Sequence, residues 1–444
     1  TLRTHGIPSA VLLVLALLAA AIGHCGSADA PETISPSPSP SPVPPAAAPA
    51  TASAPASPEQ SGADLLKIDL TFVDRKSPAY ARFRSWVDAA VAGSPGYAFS
   101  ASDAALMFLL SGGDKYCDLA VRMVEKEVAE AEAAIATGAR PAIAGDSYLE
   151  VGPRIADLAM TLHACRTTID ATQQRRWSSY AEQAVWNVWN HPRAQWGGQA
   201  HAWTGWSVDN PGNNYYYSFI EATMYWALVS GSPSWLEDLR TRRLPPLKTY
   251  YAGLPGGGSR EGTGYGAAQM RLFGLYRLWK DSTGEDLAGA STHARDSIPY
   301  WVHATVPTLD RFAPIGDQSR NSVPELFDYH RRLVLEARQL TTDEEARAMA
   351  SWWLDNISVP RMTQGFNSRY DLLPAGTGGT PPSALVYLAE GAGHLFARSD
   401  WGKDAMWMSF VAGPYNESHA HQEQGGFTLF ARDWLAVTEN IWSH

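Results

Sequence analysis

The chain has 444 residues, of which 18% are charged, and a formal net charge of −10. This acidic balance argues against nucleic acid or an anionic membrane as a partner. An acidic substrate would need a locally basic cleft. Three cysteines are too few for a disulfide scaffold. The excess of Trp and Tyr is the most informative feature, because flat aromatic faces can stack on sugar rings as well as fill a core.

Residues 1–30 have the pattern of a secretory signal peptide. A short basic start precedes an apolar run that is too short to span a membrane, and Ala28-Asp29-Ala30 supplies an Ala-x-Ala cleavage site. We therefore expect a secreted or periplasmic protein. Lipoprotein anchoring at Cys25 is less favoured, because His24 before it is not a small residue.

Residues 31–64 are dominated by Pro, Ser and Ala and predict a disordered linker. The chain after it is long enough to bury a substantial core. Once the signal peptide is removed, Cys117 and Cys165 remain. They form either one disulfide, which an oxidising compartment permits, or two buried thiols in helices.

Residues 65–380 have a helical pattern. The segments 116–136, 151–165 and 271–281 are rich in helix formers, with apolar residues three and four positions apart. Paired helices without strands predict a bundle, a solenoid or an α/α toroid, complete or incomplete.

Residues 381–444 change to short segments that alternate or run apolar, which predicts an antiparallel β-sheet. About sixty residues would leave open sheet edges. We therefore expect the first strands of a β-sandwich whose remaining strands lie beyond this chain. The predicted fold is mainly α with a C-terminal β domain.

Two polar segments lie in the helical region. Residues 212–229 predict a helix that begins near Asn213 and Asn214; one asparagine would cap it, and the other would project where helix amides favour a carboxylate. The glycine-rich loop 253–269 carries Arg260, Glu261 and Tyr265. A nucleotide-binding loop would have a strand before it and a Gly-Lys pair after it, and this loop has neither.

The most distinctive stretch is NESHAHQEQGGF, residues 416–427. We predict a strand on which His419 and His421 point to the same face, so the pair is a candidate for catalysis or metal binding. A group of tryptophans in a Gly- and His-rich stretch is a candidate sugar-stacking surface: Trp186, Trp189, Trp196, Trp203 and Trp206.

Together, the toroid followed by an antiparallel sheet, the Asn-Asn helix start, the REGTGY loop at 260–265 and the HAH motif followed by GGF carry a family resemblance. Over residues 140–444 the chain resembles the heparinase II/III-like and alginate-lyase group of polysaccharide lyases. The resemblance implies β-elimination in a uronic-acid polysaccharide such as alginate, glucuronan or a glycosaminoglycan. The product has a 4,5-unsaturated end, and the chemistry requires no cofactor.

The resemblance also implies residue roles. Asn214 would neutralise the uronate carboxylate, Tyr265 would act as acid and, for some substrates, as base, and His419 would hold the carboxylate or act as base. Because an isolated tyrosine ionises with a pKa of about 10, this role needs a nearby cation, for which Arg260 is the candidate. The expected substrate-binding residues are Asn213, Tyr215, His201, Trp203, Trp206 and Glu261.

The resemblance leaves two points open. Tyr215 stands where many relatives have a histidine, which shifts weight to Tyr265 as the base. A structural zinc on His421 is possible in the group, but the usual partner position holds Thr438, with Glu439 one residue further along.

Two other functions fit the composition. A glycoside hydrolase on an α/α toroid needs two carboxylates flanking the bond, and the candidate acids form no clear pair: Asp146, Glu150, Asp209, Glu221 and Glu261. A secreted sugar-binding protein without catalysis would use the tryptophan group instead. The uronate, the mode of cleavage and the oligomeric state are not specified by the sequence.

Overall fold

The computed structural model describes residues 62–317, 324–359 and 369–436. The predicted signal peptide, most of the predicted linker, Cys25 and Glu439 lie outside these ranges. The described residues form a helical region followed by a β-sheet, as the sequence predicted. Among them, no helix is both long and apolar enough to cross a membrane.

The helices follow one another in chain order with short connections. The three segments predicted from periodicity correspond to the helices Asp114–Ala136, Val151–Ala164 and Gln269–Thr283. A short hairpin of two-residue strands, absent from the sequence prediction, pairs residues 195–196 with residues 199–200. The elements are α1 (Pro78–Val91), α2 (Ala101–Ser111), α3 (Asp114–Ala136), α4 (Val151–Ala164), α5 (Ala171–Trp189), β1 (Gln195–Trp196), β2 (Gln199–Ala200), α6 (Asn214–Ser230), α7 (Pro233–Asp238), α8 (Leu244–Ala252), α9 (Gln269–Thr283), α10 (His293–Ala304), α11 (Asp328–Leu340) and α12 (Glu344–Asn356).

Local sequence explains where several helices begin. Asp170 caps α5 by accepting the N–H groups of Thr172 and Gln173, and the Gln173 side chain returns a bond to the Asp170 backbone. Asp343 caps α12 by accepting the Ala346 N–H. The buried faces of the helices then pack against helices that are close in chain order. Helix α4 packs on α6, α9 packs on α11, and α2 packs on both α3 and α4. This sequential pairing is typical of α/α toroids.

The C-terminal sheet is an antiparallel meander in the order β3-β4-β5-β6-β7. Arg432, with a φ of 70°, makes the tight turn between the last two strands. The strands are β3 (Val386–Ala389), β4 (His394–Arg398), β5 (Trp407–Val411), β6 (Phe427–Ala431) and β7 (Asp433–Ala436).

Both faces of this sheet are apolar. The face toward the helices buries Phe396, Trp407 and Phe430 almost completely. The opposite face aligns Leu388, Leu395, Phe410 and Phe427 as Cα partners across four strands, and Leu388 and Phe427 are exposed. A sheet with apolar side chains on both faces is typical of one layer of a sandwich.

Helix α10 joins the helices to the sheet. The Tyr300 hydroxyl lies 2.8 Å from His394 Nδ1, and the Trp407 indole donates to the His303 carbonyl at 2.8 Å. Arg398 donates to the carbonyls of His303 and Thr305. Burial lowers the pKa of Arg398 to about 9. These buried contacts hold the sheet against the toroid. They therefore also hold in place the loops that lie between the two.

Cys117 and Cys165 form a disulfide, which settles the alternative left open by the sequence. The bridge ties α3 to the end of α4 across 48 residues, and neither cysteine is exposed. A loop of this length restricts the unfolded chain considerably. We expect the double variant C117A/C165A to lose about 4 kcal/mol of unfolding free energy, measured by denaturant titration. An unchanged midpoint for the double variant would contradict this, and reductant should not affect that variant further.

Candidate active site

The histidine motif lies on a loop and not on a strand, so the strand prediction is wrong. Residues 412–426 connect β5 to β6, and the backbone turns at Ala420, whose N–H donates to the Glu417 carbonyl. The reason is backbone packing against two other loops. Gly316, with a φ of 68°, approaches so closely that a Cβ there would lie 2.7 Å from both the Glu261 and His419 carbonyl oxygens.

Both histidines nevertheless converge on one carboxylate, that of Asp317. His419 Nδ1 lies 2.9 Å from one Asp317 oxygen and His421 Nε2 lies 2.6 Å from the other. An ionised carboxylate only accepts hydrogen bonds, so each imidazole donates through that nitrogen. The neutral His419 ring therefore carries its lone pair on Nε2, as a proton acceptor requires.

Tyr265 stacks directly on His419. Their ring centroids are 3.6 Å apart and the ring planes differ by 11°. Tyr265 begins a short 3₁₀ helix, Tyr265–Ala268, immediately before α9, and its side chain is half-buried. A phenol and an imidazole therefore lie side by side, and both are groups that can take part in proton transfer.

The two asparagines at the start of α6 have different positions. Asn213 is the cap: its side chain accepts the Tyr215 N–H at 3.0 Å, and it is 1% exposed. Its amide donates to Ser418 Oγ at 3.1 Å, next to His419 in the chain. Asn214 is half-buried, and its Oδ1 has no hydrogen-bond partner. Asn213 is therefore committed to the cap and to the histidine loop, whereas Asn214 is not.

Tyr215 bridges the start of α6 to the segment before α4. Its hydroxyl donates to Asp146 at 3.0 Å. Burial and this carboxylate raise the pKa of Tyr215 to about 12, with a smaller contribution from nearby Tyr265. Asp146 and the next two residues all have positive φ, a costly conformation for side chains other than glycine. This constrained turn holds the carboxylate under the tyrosine.

Glu261 lies beneath the site and does not face the open cleft, contrary to its predicted role in binding substrate. It is 1% exposed, and its Oε1 accepts from the Asn213 amide at 3.3 Å. Glu417, the neighbouring carboxylate, accepts from the Tyr250 hydroxyl at 2.7 Å. Burial and Glu417 raise the pKa of Glu261 to about 8. The Glu261 carboxyl is therefore mostly protonated at neutral pH.

This shifted pKa predicts a pH-dependent stability. Between pH 4.5 and pH 8 the folded state holds a proton on Glu261 that the unfolded state has lost, so stability falls as pH rises through this window. Gln does not titrate and can still accept from Asn213. We expect Glu261→Gln to increase the unfolding free energy by about 3 kcal/mol more at pH 8 than at pH 5.

Denaturant titrations at several pH values would measure this difference. The exposed Glu237, changed to Gln, is the matched control and should show no such trend. A constant difference between Glu261→Gln and the unchanged protein across this range would show that the carboxyl ionises normally.

Arg260 takes part in the joint between the helices and the sheet. Its Nε donates to the Gly391 carbonyl at 3.0 Å, and its Nη2 lies 3.5 Å from the Gly253 carbonyl oxygen. These contacts direct the guanidinium to backbone carbonyls, unlike the predicted role beside Tyr265. The group that lies against Tyr265 is the His419 ring.

The tryptophan group is largely core, so the prediction of a common sugar-stacking surface is wrong. Trp186 and Trp196 are buried, and Trp189 donates its indole N–H to Thr223. Trp203 packs between Tyr148 and Phe219. Of the five, Trp206 has 52% of its surface exposed and is accessible to a ligand. His201 is half-buried, and its Nε2 lacks a hydrogen-bond partner.

The described residues do not support a metal centre. They contain no group of three or more His, Cys, Asp and Glu side chains that could hold an ion. His421, the proposed zinc ligand, directs Nε2 to Asp317. Glu439 lies outside the described residues, so the zinc prediction stays a prediction.

Comparisons with known proteins give structural likeness only. No protein-family model matches the chain, and no curated protein matches it by sequence. Heparinase III is similar with a TM-score of 0.47 and 14% identity, over 82% of this chain and 51% of that one. The heparan sulfate lyase HepC from Pedobacter heparinus has a TM-score of 0.45 and 15% identity, over 81% and 56%.

A third similar structure, titled the heparinase III-BT4657 gene product, has a TM-score of 0.44 and 12% identity, over 85% of this chain and 58% of that chain. The chain thus spans about half the length of these proteins.

Proposed function

We propose that the protein is a polysaccharide lyase that cleaves a uronic-acid polysaccharide by β-elimination. The observation that carries this proposal is the Tyr265 ring stacked on His419, whose tautomer Asp317 fixes. Such a pair supplies the proton acceptor and the proton donor that elimination needs at neighbouring positions of one sugar bond.

The uronate carboxylate must be neutralised first, because removal of the C5 proton places more negative charge next to it. Asn214 is the proposed donor, through its side-chain amide. The N–H groups at the start of α6 add a favourable dipole. Asn213 supports this arrangement from behind, because it caps the helix and contacts Ser418 in the histidine loop.

The proposed elimination transfers one proton from the sugar to His419 and one proton from Tyr265 to the sugar. His419 Nε2 takes the C5 proton, and the electron pair of that bond forms the C4–C5 double bond. The C4–O4 bond breaks, and the Tyr265 hydroxyl gives its proton to O4. Proton return from His419 to the tyrosinate through solvent restores both residues. Where the C5 proton and O4 lie on the same side, an ionised Tyr265 takes the C5 proton and then gives that proton to O4.

A glycoside hydrolase finds less support. That reaction needs two carboxyl groups facing the bond, but Glu261 is buried under Asn213 and Glu221 forms an ion pair with Arg271 at 3.3 Å. A binding protein without catalysis would not need the His419–Asp317 pair.

The proposed substrate is an acidic polysaccharide outside the cytoplasm, in line with the signal-peptide pattern of residues 1–30. The Cys117–Cys165 disulfide supports an oxidising compartment.

The test is a panel of uronate polymers. Purified protein is incubated with alginate, glucuronan, hyaluronan, chondroitin and heparan sulfate, and ultraviolet absorbance of the 4,5-unsaturated product is followed. We expect absorbance to rise with at least one polymer. No rise with any of them would overturn the proposal.

A further inference from the structure

A cavity of about 310 Å³ lies inside the helical region, between α4, α6, α9 and α11. Its volume is at the lower end of the range of small-molecule sites. One part of the wall is apolar, with Phe72, Leu106, Met160 and Met270 among its residues. The other part carries an unusual number of charged groups for a protein interior.

The cavity is separate from the candidate active site. On α6, Glu221 and Tyr225 line it, and they follow Asn214 by about 10 and 17 Å along the helix axis. The segment 62–73 crosses the far end of these helices, where the Leu65 N–H donates to the Leu228 carbonyl and the Lys67 N–H donates to Ser282 Oγ.

Three of the four arginines that line the cavity have carboxylate partners. Arg277 makes two hydrogen bonds to Glu336, at 2.9 and 3.2 Å. The other two pairs are Arg271 with Glu221 and Arg369 with Asp103, each at 3.3 Å.

Arg332 is different, because no described carboxylate forms a direct ion pair with it, and Glu336 and Glu221 act on its charge only from further away. Its guanidinium lies 3.5 Å from the Tyr370 ring centroid. Its Nε is buried without a hydrogen-bond partner. Among the described residues, no carboxylate oxygen lies within 4.0 Å of a guanidinium nitrogen of Arg332. The two internal gaps, 318–323 and 360–368, contain no Asp or Glu that could do so.

An unpaired arginine inside a protein is costly, so its retention here points to a ligand. Space beside it is kept open by Gly274, where a Cβ would lie 3.4 Å from Arg332 Nη2. Nearby polar groups could contact hydroxyls of that ligand, since Glu221 Oε2 lies 3.3 Å from Arg271 Nε without a hydrogen bond and Tyr225 also lines the wall.

We propose that this cavity binds a small hydroxylated carboxylate of monosaccharide size, with its carboxylate on Arg332. The site is independent of the proposed lyase reaction, because it shares no residue with the Tyr265–His419 pair. Arg332 would donate two parallel hydrogen bonds to the carboxylate, as arginine does in other carboxylate sites.

Isothermal titration calorimetry of the full chain tests this with sodium glucuronate. Glucose is the uncharged match and sulfate is the bare anion. We expect glucuronate to bind, and glucose and sulfate to bind at least about tenfold more weakly. Arg332→Met should weaken glucuronate binding at least about tenfold, whereas Asn214→Ala, which removes the proposed carboxylate donor of the active site, should leave it unchanged.

The variants separate this site from the cleft and from misfolding. Arg332→Met removes an unpaired buried charge, so its Tm without ligand should not fall, and Arg332→Lys, which keeps a charge, should retain part of the binding. The proposal is overturned if glucuronate does not bind, if sulfate binds equally well, or if Asn214→Ala abolishes binding while Arg332→Met keeps it. The last result would leave the lyase proposal standing.

Discussion

The Tyr265→Phe variant is expected to lose turnover on the uronate polymer by about 10³-fold while still binding it. The hydroxyl is the proposed proton donor to the leaving O4, and phenylalanine removes that atom alone. The aromatic ring remains, so its stacking on His419 at 3.6 Å should be kept. The loss should therefore appear in kcat with KM nearly unchanged.

The initial rate of unsaturated product formation, set against polymer concentration, measures both constants. Tyr97→Phe is the matched control, because that tyrosine is 59% exposed and lies far from the loop in sequence. Turnover by Tyr265→Phe within about threefold of the unchanged protein would remove Tyr265 from the reaction.

The second large effect is expected for Asp317→Asn. The Asp317 carboxylate accepts from both His419 and His421, and an amide offers one oxygen and one N–H₂ group in their place. One of the two imidazoles must then change tautomer or lose its bond. If His419 is affected, its lone pair moves off Nε2, and we expect kcat to fall about 10²-fold.

A pH profile of kcat distinguishes this from a structural defect, because altered proton acceptance shifts the profile while partial unfolding only lowers it. Glu423→Gln is the control in the same loop, since the amide oxygen can still accept the Gly316 N–H at 3.0 Å. An Asp317→Asn variant with an unchanged profile and full turnover would mean that Asp317 does not orient the base.

The helices and strands were predictable because their signals are local. The spacing of apolar residues in 116–136, 151–165 and 271–281 is sufficient to define α3, α4 and α9. The family resemblance carried by the Asn-Asn helix start, the REGTGY loop and the HAH motif was also sufficient to propose a common site for Asn214, Tyr265 and His419.

The contacts that form the site were not predictable, because they depend on residues far apart in sequence. Asp317 follows a glycine in an ordinary loop, 102 residues before His419, and no local pattern distinguishes it. The same distant contact, together with the backbone packing around Gly316, explains why residues 412–426 form a loop. The sequence alone had suggested a strand around the two histidines.

Burial reversed two other sequence predictions. A glutamate such as Glu261 would ordinarily be ionised at neutral pH. In the structure it lies under Asn213, where its pKa rises to about 8. The tryptophans around residue 200 are flanked by polar residues, yet their indole groups find buried acceptors such as Thr223 and the Asn187 carbonyl. The local composition of such a segment does not show which of its side chains are buried in the core.

The central claim is that this site breaks a uronate bond by elimination, and the mass of the products tests it most directly. With a uronate polymer that the protein degrades, elimination makes new ends that are lighter by one water than hydrolysis would make. We predict products of the lighter mass from the unchanged protein and almost none from Tyr265→Phe. Products of the heavier, hydrolysed mass would contradict the account.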